Sequence, residues 1–167
     1  MDGKYTKKIG LLAILPLLLL FPFGMQQANA VDTTATVTIV GACGVTVVTP
    51  PGFGSLQEGN ISPVDVLLDL TKTGVTPSDL KISGSGWAGG SPATTMPVGQ
   101  THYLPTNGAT EIAYASMTAL TGSLVVVYAA GTFDVAGDDI DEKLQVALAN
   151  TASTGLLSQT QTVTVTC

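Results

Sequence analysis

Threonine and valine alternate near both ends of this chain. In VDTTATVTIV, residues 31–40, Ala35, Val37 and Ile39 share one face of an extended strand, and Thr34, Thr36 and Thr38 share the other. In SQTQTVTVTC, Val163, Val165 and Cys167 again fall on one face. A period of two over such stretches predicts half-buried strands. GACGVTVV keeps the first phase, with Cys43, Val45 and Val47 on the inward parity. Gly41 and Gly44 there allow a bulge or a crossing between sheets.

The same reading continues along the chain. TPPGFGSLQEGN breaks the pattern. In ISPVDVLLDLTKTG, Val64, Val66, Leu68 and Leu70 alternate before a Lys72-Thr73-Gly74 turn. DLKISGSGW points Leu80 and Ile82 inward and ends on Trp87, the single tryptophan and a candidate core plug. A short strand is expected around residues 101–104. IAYASMTAL fits a strand or a short helix. GSLVVVYAAG is apolar on both faces and predicts a central strand. GTFDVAGDDIDE reads as a loop, and KLQVALAN alternates through Leu144, Val146 and Leu148. The sum is roughly seven to nine short antiparallel strands joined by Gly, Pro, Asn and Asp turns, the pattern of an all-β chain folded as a single β-sandwich.

The first 30 residues stand apart from this pattern. Lys4, Lys7 and Lys8 precede the apolar run LLAILPLLLLFPF, and Ala28-Asn29-Ala30 closes it. That order is a secretory signal peptide with a small-x-small cleavage site. The expected organisation is a removed leader over 1–30, an N-terminal strand over 31–42 and the sandwich domain over 43–167. No later segment is apolar enough to span a bilayer. The product is expected outside the cell or on its surface.

Charge narrows the partners. The 167 residues carry a formal net charge of −6, and beyond the leader the only basic residues are Lys72, Lys81 and Lys143. A surface this poor in cations has little with which to hold phosphates, so nucleic acid is not expected as a partner. The two cysteines, Cys43 and Cys167, each lie in phase with the inward valines of their strands. In an oxidising compartment they predict one disulfide between the opening and closing strands. A free pair or a metal site is the alternative, with only one histidine and no C-x-x-C motif to support metal.

Two resemblances follow from these stretches. FGSLQEGNISPVDVLLDLTKTGVTPSDLKISGSGW resembles the first half of secreted immunoglobulin-like surface modules, and KLQVALANTASTGLLSQTQTVTV is similar to their last hairpin. That resemblance implies an immunoglobulin-like sandwich and says little of function. TATVTIVGACGVTV resembles the start of chaperone-usher pilins, where such a strand completes the sheet of a neighbouring subunit. The implied donor-strand residues are Ala35, Val37 and Ile39. The pattern departs from that family in the position of Cys167 and in lacking a penultimate tyrosine.

Candidate chemistry is sparse. Asp134, Asp138, Asp139, Asp141 and Glu142 cluster in DVAGDDIDE, and an oxygen-rich loop of this kind can hold calcium, although the spacing is not an EF-hand. A solvated loop is the simpler reading, and no other cofactor is expected. His102 beside Tyr103 lacks the partners of a triad. Asp65 and Asp69 share an outer strand face with no aromatic sugar platform beside them. Asn60-Ile61-Ser62 is a glycosylation sequon in a turn. No set of residues specifies an enzyme. The expectation is an exported structural subunit that self-associates into a filament, pilus or surface layer, by donor-strand exchange in one version. The alternative is a monomeric adhesion or carbohydrate-binding module that meets other surface proteins or a glycan.

Overall fold

The structure, a computed structural model, describes residues 30–40, 44–61, 66–72, 78–107, 112–130, 132–133 and 138–166. These form twelve strands: β1 Ala30–Val40, β2 Val45–Thr49, β3 Gly54–Gln57, β4 Val66–Lys72, β5 Asp79–Gly84, β6 Trp87–Ser91, β7 Thr94–Met96, β8 Thr101–Asn107, β9 Thr118–Ala119, β10 Val125–Tyr128, β11 Asp138–Leu144 and β12 Thr154–Thr166. The remaining regular structure is two single 3-10 turns, Val98–Gln100 and Tyr114–Ser116. Among the described residues no helix is long and apolar enough to cross a membrane.

The strands form two sheets. One runs β10-β5-β12-β1-β3, with β6 on β12 and β7 on β6; the other runs β2-β4-β11-β8-β9. The chain crosses from one to the other between β1 and β2, where Gly44 takes φ +67°, a conformation that favours glycine. Of the two readings of the glycine-rich break, a bulge or a crossing between sheets, the chain takes the crossing. Val31, Thr33 and Ala35 are buried while Asp32, Thr34 and Thr36 are exposed, which bears out the alternation read in β1.

Four features differ from the sequence reading. Strands are more numerous, because short ones such as β3, β7 and β9 carry too few residues to show a period. One pair is parallel: β1 lies beside β12 in register from Val31↔Gly155 to Val40↔Thr164. Parallel neighbours need a long connection, and here the rest of the domain supplies it. The apolar VVVY is not central, since β10 is the edge strand of its sheet. The acidic DDIDE is not a loop, since it forms β11 between β4 and β8. IAYASMTAL divides into a 3-10 turn and the two-residue β9.

The space between the sheets holds two apolar clusters. One gathers around Leu80, Ile82, Ile140, Val163 and Val165, the other around Val31, Trp87, Leu144 and Leu157. Trp87 is buried, edge-on to Phe53 at 5.8 Å between ring centroids. Along β12 the inward residues read Leu157, Gln159, Gln161, Val163, Val165, and along β11 they read Ile140, Glu142, Leu144. A buried polar layer therefore separates the two clusters. Close packing shows at Gly89, φ +137°, where an added Cβ would sit 2.3 Å from the Leu156 carbonyl oxygen.

Candidate functional site: strand edges and a buried polar layer

The first candidate is the seat of β1. Its inward side chains enter both ends of the core: Val31 and Ala35 join the Trp87 cluster, and Val37 and Ile39 pack on the other. Its backbone pairs with β12 along ten residues and with β3 from Ala30↔Gln57 to Thr33↔Gly54. Thr33 Oγ1 donates to Gly54 O at 2.9 Å, and Ser55 donates to Asp32. The donor-strand candidates Ala35, Val37 and Ile39 therefore complete the protein's own sheet in this monomer.

The second candidate is the β10 edge. Leu124 and Val126 are 49% and 51% exposed. No charged residue occurs within 112–133. Edge strands of monomers are ordinarily blunted with lysine, proline or inward charge; β10 carries none of these. It is held from within by Tyr128, whose hydroxyl lies 2.6 Å from Asp139 O and 3.1 Å from Thr106 O.

The third candidate is the polar layer, which the sequence reading missed. Trp87 Nε1–H donates to Thr101 Oγ1 at 2.9 Å, and Thr101 Oγ1 donates to Gln159 Oε1 at 3.3 Å. Gln161 Nε2 donates to Gln159 Oε1 at 3.1 Å and to Glu142 Oε2 at 2.8 Å. Gln159 Nε2 donates to Ser85 O at 2.9 Å. Glu142 is fully buried, and desolvation pushes its carboxyl from the ordinary 4.5 up to about 8, against the smaller opposing effect of the Gln161 hydrogen bond. Among the described residues Glu142 Oε1 and Gln161 Oε1 have no hydrogen-bond partner. The only available signal was phase: Gln159 and Gln161 share the parity of Val163 and Val165.

The other predicted residues are scattered. Cys43, Cys167 and Asp134 lie outside the described residues, as do Asp65 and residues 1–29 of the leader. Of the acids read as a calcium loop, Asp139, Asp141 and Glu142 stand on β11, where successive residues face opposite ways, and Asp141 and Glu142 are buried. Among the described residues no three His, Cys, Asp or Glu side chains gather to hold a metal ion. Asn60 is exposed, in a turn closed by its N–H on Gln57 O at 3.0 Å. His102 stacks on Tyr114 with ring centroids 3.8 Å apart, and its Nδ1 lies 2.9 Å from Tyr114 O. Its ring thus belongs to a structural pair.

An open groove of about 620 Å³ runs past Trp87, Met96, Pro97, Ala147 and Leu148, with Glu58 at its side. The Glu58 carboxylate accepts the Leu148 N–H at 3.0 and 3.2 Å. Comparisons with protein-family models, characterised proteins and solved structures give no match.

Proposed function

We propose that this chain is an exported structural subunit, an immunoglobulin-like sandwich whose Cys43 and Cys167 are joined in disulfides, that assembles into an extracellular filament or surface layer. The observation that carries this reading is the seat of β1. A strand at the start of the domain fills a slot between β12 and β3, and the glycine-bearing crossing that follows it can act as a hinge. An identical strand from a second copy fits the same slot, because the contacts are the same ones. The unguarded β10 edge offers a second, lateral contact.

Electron microscopy of the secreted material tests this directly, with fibres or sheets as the expected outcome. Deleting residues 31–40 should leave protein that no longer polymerises and that binds a VDTTATVTIV peptide. Undiminished polymers from the deletion variant would defeat strand exchange. The groove beside Trp87 favours a second reading, a monomeric surface adhesion or carbohydrate-binding module, for which dispersed particles are expected. Trp87 itself lies buried and offers no open ring for a sugar to stack on.

A further inference from the structure

The buried polar layer holds the parts of an acyl transfer. Thr101 and Gln159 belong to opposite sheets, and both are almost wholly buried. The Thr101 hydroxyl, a nucleophile, lies 3.3 Å from the oxygen of the Gln159 carboxamide, an electrophile. That oxygen also accepts from Gln161 Nε2 at 3.1 Å, a donor placed where negative charge grows when the carbonyl is attacked. Glu142 Oε2, 2.8 Å from the same Gln161 nitrogen, holds the donor in place. Trp87 Nε1–H fixes the hydroxyl from the other side at 2.9 Å. The departing nitrogen, Gln159 Nε2, donates to the Ser85 carbonyl at 2.9 Å, on the loop between β5 and β6.

We propose that Thr101 and Gln159 condense into an ester, with release of ammonia, forming a covalent strut from β8 of one sheet to β12 of the other. Thr101 Oγ1 bonds to Gln159 Cδ, and its proton passes to Oε1, which the hydroxyl already faces. The tetrahedral centre then collapses. The Cδ–Nε2 bond breaks with its electron pair on nitrogen, the nitrogen takes the proton from Oε1, and the carbonyl re-forms. A hydroxyl and a carboxamide have become an ester and ammonia, with nothing oxidised and no co-reactant consumed. Fixing both groups in one buried site supplies the proximity that a dilute alcohol and amide lack. Ammonia is protonated in neutral water and lost, which pulls the exchange forward, and burial keeps water from the ester. Thr101 and Gln159 react, Gln161 steadies the oxygen, and Glu142 is a positioning residue acting through Gln161.

The test is the intact mass of the full purified chain, reduced and denatured before measurement. The expected mass is lower by one ammonia than its sequence requires. Digestion should yield a peptide joining the Thr101 and Gln159 segments, and hydroxylamine should cleave it. Thr101→Val should restore the full mass, Thr101→Ser should keep the loss, and Glu142→Gln should slow its appearance in freshly made protein. Cyclisation at Asn107-Gly108 also expels ammonia but does not depend on Thr101, so a loss that persists in Thr101→Val overturns the proposal. Folded wild-type protein at full mass after prolonged incubation at neutral pH overturns it equally. Neither result depends on whether the protein polymerises.

Discussion

Glu142 sits between two apolar clusters, on the strand face opposite to that of Lys143. Across the sheet it pairs with Tyr103 on β8 and Val66 on β4, and from the facing sheet Gln161 donates to it. Burial favours its neutral form, so the folded chain keeps a proton there up to about pH 8, while an unfolded chain releases it near 4.5. The stabilising contribution is therefore fully present below pH 4.5, declines as pH rises, and is gone above about 8. Thermal melts should show the midpoint falling steadily across that window, and Glu142→Gln, an uncharged isostere, should flatten the curve. The proton also gives Glu142 a hydrogen to donate, and Gln161 Oε1 is an acceptor still lacking one. None of this was legible in SQTQTVTVTC. Phase assigns Gln159 and Gln161 to the inward face, but their partners stand on β8 and β11, and strand period carries no information about which strands meet.

Elements were legible where one face is wet and the other dry. β1, β5 and the second half of β12 alternate because each has one buried face, and their inward residues are those the period selects. β10 and β11 were misread for opposite reasons. Hydropathy places VVVY in a sheet but does not count its neighbours, so an edge strand with exposed Val126, preceded by exposed Leu124, looks like a central one. β11 is buried on both faces: Ile140, Glu142 and Leu144 point one way, Asp141 and Lys143 the other. Lys143 Nζ donates to Ile112 O, in the segment ahead of the Tyr114–Ser116 turn. Acids in such a strand give the composition of a loop without its exposure. The bare β10 edge has a measurable consequence. Val126→Lys places a charge on its exposed face while Val125 and Val127 still pack against the core. Sedimentation should show self-association weakened about tenfold or more, ~1.4 kcal/mol, with the melting midpoint nearly unchanged. An unaltered association constant removes β10 from the contact.

At the scale of the whole molecule, the parallel pair of β1 and β12 brings the opening and closing strands together. Val40 stands opposite Thr164, and Cys43 and Cys167 each follow three residues later in the sequence. A disulfide between them within one chain closes a loop of about 120 residues, which the chain-entropy view values at about 4–5 kcal/mol. The same pairing has a different covalent outcome when β1 is lent to a neighbour. The donor's Cys43 then arrives beside the acceptor's Cys167, and each subunit is bonded to the next. Strand exchange and an intramolecular clasp are therefore separated by one gel. Assembled material, alkylated and denatured without reductant, should run as a ladder of covalent oligomers that collapses to monomer when reduced. Unassembled protein should run as a single oxidised monomer, and Cys43→Ser should abolish the ladder. Fibres that dissolve to monomer without reductant would show that β1 stays in its own sheet and that the subunits meet through another surface, of which the β10 edge is the first to test.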